Sequence, residues 1–177
     1  YEYVLPSFDY QNELFESENI GTIRIQSRGS YRKYNTNIDE AKFVNDVYWL
    51  SNDFYSDYGL VSQFEGNLKN SNYRAENTSD HKNDKNNIEL MGAVSILNSL
   101  PLEKYSENYK KTLTPKLMLR TAPGHMRDMS NNGLKLEMSN LYSLNKITAI
   151  DVVEAGTSLT LGTDYNYKDK NDFEKFN

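Results

Sequence analysis

The sequence predicts an all-β fold, an antiparallel up-and-down meander of about seven strands. Apolar side chains recur at every second position in several stretches, which is the period of a strand whose two faces meet different surroundings. Polar and acidic residues separate these stretches. Apolar residues at the helical spacings of three and four do not persist long enough to compete with the strand pattern.

The amino-acid composition limits the classes of β-protein to which the chain can belong. Mean hydropathy is −0.78 and 37% of the residues are hydrophobic, and there is no run of about 20 apolar residues, which a membrane-spanning helix needs. In an outer-membrane barrel only every second side chain meets lipid, so such a protein can be as hydrophilic on average as a soluble one. The pattern therefore fits a partial section of a transmembrane outer-membrane β-barrel.

Seven strand candidates follow one another along the chain. Two are weaker, and their faces stay unassigned. The candidate at 1–10 contains Pro6, which removes a ladder donor, and the candidate at 41–50 mixes polar and apolar residues on both sides. The remaining five alternate clearly, and they lie at 22–32, 60–69, 88–97, 113–120 and 153–164.

Cationic side chains recur on the polar faces of these strands. Arg24, Arg28 and Arg32 are four residues apart and point the same way, and Lys116 and Arg120 share the polar face of a later strand. All five are candidates for lumen-facing residues of a barrel. They could bind the phosphates or carboxylates of an anionic lipid. We favour the simpler interpretation that lumen water hydrates them.

The connections between the strands alternate in length. Longer loops are predicted near 35–40, 72–87 and 122–150, and shorter turns near 16–20, 52–58 and 100–108. Because bacterial barrels have short periplasmic turns and longer extracellular loops, this order places the 122–150 loop outside the cell. Many of the 14 tyrosines lie near the proposed strand ends, which favours the aromatic girdles of a membrane barrel over the general preference of tyrosine for strands.

Several other function classes are disfavoured. The chain has 177 residues, which suits one domain, no cysteines, and a net charge of −5, which argues against a nucleic-acid binder. Neither a nucleophile elbow nor a zinc-protease motif occurs, and we predict no enzyme activity, cofactor or metal site.

His81 and His125 lie in separate polar loops, and the Asp80–His81–Asp84 cluster lacks the glycine and glutamate of a calcium loop. Asp151 and Glu154 are predicted to face opposite sides of a strand, which excludes a glycosidase pair.

One segment is more specific for a single protein family than the alternating pattern, which any β-barrel shares. Between 137 and 162 the sequence resembles the loop-to-strand signature of the LptD family of bacterial lipopolysaccharide-assembly proteins, in Asn140, Leu141, Tyr142, Ser143, Leu144, Asn145, Asp151, Glu154 and Gly156. The strand at 113–119 and the opening residues 3–10 are similar to further strands of that family. Lys146 stands where the family more often has arginine.

The resemblance implies a fragment, residues 1–177, of the C-terminal β-barrel domain of that family, without a second domain. It implies a non-enzymatic conduit in the outer membrane of a Gram-negative bacterium, which transports lipopolysaccharide and inserts it into the outer leaflet. The implied partners are lipopolysaccharide, an LptE-like lipoprotein plug in the lumen, and a periplasmic Lpt bridge that docks through an N-terminal domain missing from this chain.

Two alternatives remain at the level of the sequence. Another outer-membrane barrel, such as a porin or a receptor, shares the alternation but not the signature. A soluble β-sandwich that binds ligands shares the alternation alone. The sandwich predicts that the alternating leucines, such as Leu117, Leu119, Leu159 and Leu161, pack against a second layer, whereas a barrel predicts that they face outwards.

Overall fold

The computed structural model describes residues 2–34, 37–78, 85–129, 136–147, 149–169 and 174–176. Within these ranges the chain forms one antiparallel sheet of ten strands in the order β1-β2-β3-β5-β6-β8-β9-β10, with β4 on β5 and β7 on β8. The strands are β1 (Glu2–Ser17), β2 (Gly21–Tyr34), β3 (Asp39–Leu50), β4 (Phe54–Tyr55), β5 (Val61–Glu76), β6 (Asn86–Ser99), β7 (Leu102–Ser106), β8 (Tyr109–Ala122), β9 (Gly156–Asp169) and β10 (Glu174–Phe176). In this part of the chain no helix has the length and apolarity to cross a membrane.

The predicted all-β meander is confirmed. Each of the seven predicted strands corresponds to one of the seven long strands, and β4, β7 and β10 are short additions to them. Strand β1 is longer than predicted and reaches Ser17. Its register against β2 shifts between Val4 and Ser7, where Pro6 cannot donate to the ladder. The strand that contains Pro6 therefore forms, and the register shift is confined to the residues next to the proline.

The predicted turn at 100–108 is wrong in extent. Strand β7 continues the line of β6 along β8 in the same register, since Ser99 pairs with Lys116 and Leu102 with Leu113. Only the short stretch at Pro101 interrupts the ladder, because proline has no N–H to donate. The turn itself is the pair Glu107 and Asn108.

The sheet has two chemically distinct faces. The apolar face carries large exposed side chains: Phe43, Val47, Phe64, Leu68, Ile88, Leu90, Val94, Leu113, Leu117, Leu119, Leu159 and Leu161. The four leucines that distinguish a barrel wall from a sandwich are 37%, 48%, 61% and 72% exposed, at positions 117, 119, 159 and 161 respectively. No second sheet covers them among the described residues. The predicted separation into an apolar and a polar face is confirmed, and the two-layer alternative loses its support.

The last long strand begins later than predicted. The alternation from Val153 onwards predicts a strand there, but β9 begins at Gly156. Val153 is buried and packs with Ala93 and Ala122. Asp151 and Glu154 therefore lie in the preceding loop, and the argument that strand geometry separates them does not apply. Strand β9 begins later than predicted because Asp151, Val153 and Glu154 pack against the polar face of the sheet before the chain joins the sheet as a strand.

The aromatic girdle is also incomplete. Tyr31 and Tyr165 are exposed on the apolar face, as a girdle requires, whereas the exposed Tyr55 pairs with Val61 at a polar-face position of β5. Tyr73, however, is buried on the opposite, polar face, where its hydroxyl donates to Glu89 at 2.8 Å. Tyrosine near a strand end thus does not by itself indicate on which side of the sheet it lies.

Candidate functional site

The connection between β8 and β9 folds back onto the polar face of the sheet. We call it the signature loop, residues 123–155, of which 130–135 and 148 lie outside the described residues. In the described part of the loop, a short 3-10 helix spans Met138–Asn140. Its contacts reach from β9 across β8, β6 and β5 to β3, so one connection covers a large part of the polar face.

Arg120 is the main attachment of this loop. It lies on the polar face of β8 and is 1% exposed. Its guanidinium donates hydrogen bonds to the backbone carbonyls of Leu144 and Glu154. Burial of a cation is costly unless its N–H groups find acceptors, and here the loop backbone supplies them. Arg120 therefore binds the loop to the wall, with protein rather than water above it.

A buried ionic cluster lies beside this attachment. The carboxylate of Asp46 on β3 contacts the Lys69 ammonium at 2.6 Å, the Arg28 guanidinium at 2.9 Å and the Asn67 amide at 3.3 Å. Lys69 also donates to the carbonyl oxygen of Ile150 in the signature loop at 2.7 Å. One lysine thus joins β3, β5 and the loop.

A second ionic cluster centres on Asp151, which is buried. Its carboxylate accepts from Lys42 of β3 at 3.2 Å and from Arg127 of the loop at 3.1 Å, and Arg127 also lies 3.7 Å from Glu89 of β6. Burial lowers the pKa of Arg127, but the carboxylates of Asp151 and Glu89 outweigh it, so this pKa lies above its ordinary value. Arg127 therefore stays charged, and Asp151 links the loop to two strands.

Within the loop, Asn145 holds the backbone in shape. Its side-chain amide donates to the carbonyls of Ile147 at 3.2 Å and Val152 at 3.0 Å, and its oxygen accepts from the N–H of Glu154 at 3.0 Å. Asparagine has both a donor and an acceptor on one short side chain, so it can hydrogen-bond to backbone groups from two parts of the same loop.

The loop also makes apolar contacts with the sheet. Leu144 packs against the buried cluster of Ala93, Ala122 and Val153. Tyr142 lies over Gly162 of β9, where a Cβ atom would overlap the tyrosine hydroxyl. The absence of a side chain at Gly162 therefore makes room for the Tyr142 hydroxyl.

A cavity of about 530 Å³ remains between the loop and the first strands. Its lining contains both polar and apolar side chains. It includes three carboxylates and two tyrosines: Glu13, Glu16, Glu65, Tyr48 and Tyr142. The loop thus leaves part of the polar face uncovered on the side of β1, β2 and β3.

The comparison with known families agrees with this architecture. A family model described as LPS transport system D matches residues 3–177, which is nearly the whole chain. The chain belongs to the LptD family. No curated protein matches it significantly. The resemblance seen in the sequence is confirmed, and with it the assignment to lipopolysaccharide transport, the outer membrane and the β-barrel proteins at the level of the LptD family.

The LptD signature residues are thus mostly loop residues. The structure brings Leu144, Asn145, Asp151 and Glu154 together on the polar face, where Arg120, Lys42 and Arg127 hold them. Tyr142 contacts Gly162, and Asn140 ends the 3-10 helix and accepts from the N–H of Glu137 through its side chain. Leu141 and Ser143 follow in the turn after that helix, and Gly156 begins β9.

The five cationic candidates all lie on strands at polar-face positions. Arg24 pairs with Glu13 of β1 at 2.8 Å in an exposed position, and Lys116 pairs with Asp164 of β9. Arg28 and Arg120 are engaged as described above, and Arg32 is exposed near the end of β2. All five therefore interact with other groups of the protein, which favours internal pairing over a free cationic surface. That this face lines a barrel lumen stays a prediction.

The remaining candidates lie elsewhere. Asp80, His81 and Asp84 fall outside the described residues, and His125 is exposed in the signature loop. In the part of the chain that the structure describes, no three His, Asp or Glu side chains are grouped as a metal site requires. Asp46 and Arg127 were missed by sequence reasoning. The faces of the 41–50 strand were unassigned, and Arg127 sits in a loop without periodicity.

Proposed function

We propose that this chain forms part of the wall of an outer-membrane translocon that transports lipopolysaccharide and inserts it into the outer leaflet. In this proposal residues 1–177 belong to one β-barrel domain. The apolar face contacts lipid and the polar face, with its signature loop, faces the lumen. The chain contributes structure rather than catalysis.

The observation that carries the proposal is the division of the sheet into two faces. Leu159 and Leu161 remain exposed although they are large and apolar, whereas Asp46, Lys69 and Arg120 on the other face are buried beneath the loop. A soluble protein buries its apolar face and hydrates its charges. The reverse arrangement is expected where lipid surrounds the protein and a polar interior fills the barrel. Membership of the LptD family supports lipopolysaccharide as the cargo.

The proposal names two protein partners. An LptE-like lipoprotein occupies the lumen as a plug, and a periplasmic Lpt bridge delivers the cargo through an N-terminal domain. The cavity beside Glu13, Glu65 and Tyr48 is the part of the polar face that the signature loop leaves open. We propose that the plug approaches the wall on this side.

The test is depletion of the full-length protein from living cells, followed by labelling of lipopolysaccharide at the cell surface. We expect newly made lipopolysaccharide to accumulate inside the cell while an unrelated outer-membrane barrel still reaches the surface. That control separates a transport defect from a general failure of membrane assembly. Unchanged surface lipopolysaccharide after depletion contradicts the proposal and favours a porin or a receptor.

A further inference from the structure

The hairpin of β7 and β8 carries a second surface, on the apolar side of the sheet and away from the signature loop. In β8 the apolar face contains Leu113, Leu117 and Leu119, and continuing the alternation in the other direction puts Lys111 and Tyr109 on the same face. Cross-strand partners share a face. The register therefore adds Lys104 of β7 to this surface, together with Tyr165 and Tyr167 of β9. We call this set the lysine–tyrosine patch.

Two lysines stand directly opposite each other in the patch. Lys104 pairs with Lys111 across the hairpin, and neither forms an ion pair with a carboxylate of the described residues. Asp169 lies at the far end of this face, opposite Tyr109, and is not within ion-pair distance of either lysine. Like charges directly across a strand pair destabilise a sheet. An anion between the two ammonium groups removes this repulsion.

The other face of the same hairpin is arranged differently. There Lys110 contacts the carboxylate of Glu103 at 2.7 Å. Cations on the apolar side at the opposite end of the sheet also have partners, since Lys33 lies 3.8 Å from Asp39 and Arg74 lies 3.0 Å from Glu76. The lysine–tyrosine patch therefore differs from these three positions in leaving its two cations without carboxylates among the described residues.

Tyrosine rings fix the position of one of these charges. The Lys111 ammonium lies 4.9 Å from the ring centre of Tyr109 and 5.3 Å from that of Tyr167, and the two rings are 5.8 Å apart. Cation–π contacts of this kind hold an ammonium in place without neutralising it. The charge stays available to an anion from outside.

The patch adjoins the exposed leucines. Lys111 is two residues beyond Leu113, a distance of roughly 7 Å along a strand. Tyrosine and lysine side chains at such a boundary have their apolar parts in hydrocarbon and their polar ends at the level of the lipid head groups. Anionic head groups attract lysines near a membrane surface.

We propose that the lysine–tyrosine patch binds the head group of an anionic phospholipid, with its phosphate between Lys104 and Lys111 and its acyl chains along Leu102 and Leu113. This inference rests on the proposed function, because it requires the apolar face to lie in a membrane. The occupant is a lipid rather than a soluble anion because the two lysines border the apolar face directly.

The test uses the full-length protein, delipidated in detergent and given equal amounts of phosphatidylglycerol and phosphatidylcholine. Native mass spectrometry counts the lipids that stay bound. The test variant is Lys104→Gln with Lys111→Gln. The matched control is Lys110→Gln with Lys168→Gln, which removes two charges that are also cross-strand neighbours in this region but lie on the polar face. Replacement of both patch lysines by arginine keeps the charge.

We expect the wild-type protein to retain phosphatidylglycerol in preference to phosphatidylcholine. The test variant should lose this preference by about fivefold for each lysine removed, and the control and the arginine variant should keep it. Equal retention by the test variant and the wild type overturns the inference, and so does an equal loss in the control. A wild-type protein that stays dispersed without detergent overturns the proposed function as well, whereas a detergent-dependent protein without lipid preference overturns only this inference.

Discussion

Arg120 connects a single strand position to the whole signature loop. The guanidinium lies in the interior, and the carbonyls of Leu144 and Glu154 are its acceptors. The alternation in the sequence places Arg120 on the polar face, and the structure agrees. Alternation does not indicate what lies above that face, because Leu144 is 24 residues away in the chain. The face was therefore predictable from the sequence, and the contact was not.

Substitution of Arg120 by alanine should detach the loop. Each carbonyl left buried without a donor costs about 1–3 kcal/mol, and lysine should restore only part of this because it lacks the guanidinium fork. We expect a lower unfolding temperature and faster protease cleavage in the loop of the full-length protein. Arg24→Ala is the control, since its exposed pair with Glu13 contributes less than about 1 kcal/mol. Equal cleavage of the Arg120 and Arg24 variants contradicts this role.

Asp46 gives a second prediction at the residue scale. Asp46→Asn removes the carboxylate between two cations and leaves Lys69 charged in a buried position, which should destabilise the protein by about 3–5 kcal/mol. The added change Lys69→Met removes that unpaired charge, so the double variant should be more stable than the single one. Thermal unfolding of both variants measures this, and additive losses disprove the coupling.

Five of the seven long strands were predictable with their faces, because each face of those strands keeps one surrounding over many residues; the strands near 1–10 and 41–50 were predicted without an assignment of faces. The short ones were not. β7 has only five residues, and Pro101 separates it from the strand whose line it continues, so the sequence pattern there is typical of a turn. Residues 123–152 show neither a strand period nor a helix period, and the shape of the described part of this loop depends on individual contacts with the sheet.

Asn145 should control the order of this loop. Three of its hydrogen bonds within the loop are 3.0–3.2 Å long and are worth about 1 kcal/mol each, so Asn145→Ala should favour local opening by up to about a hundredfold. Amide hydrogen exchange between residues 149 and 154 of the full-length protein measures the opening. Ser143→Ala, two residues away, should leave the exchange rates unchanged. If both variants exchange alike, Asn145 is not the residue that orders the loop.

At the scale of the whole molecule, the sheet is a single layer whose two faces meet different surroundings. Leu117→Lys introduces a charge on the apolar face and should cost about 2–4 kcal/mol if that face meets the middle of a bilayer. Thr114→Lys places the same side chain on the polar face, next to the native Lys116, and should cost much less. Unfolding of the full-length protein in lipid measures both. Equal costs argue against a membrane on the leucine side.

The most direct test of the two-faced wall uses spin labels in the full-length protein reconstituted into bilayers. Labels are placed at Leu117 and Leu161 on the apolar face and at Thr114 and Asp164 on the polar face. We predict that molecular oxygen, which concentrates in lipid, relaxes the first pair strongly, and that a water-soluble nickel complex reaches the second pair better. Equal access of the nickel complex to both pairs would contradict a lipid-facing leucine surface.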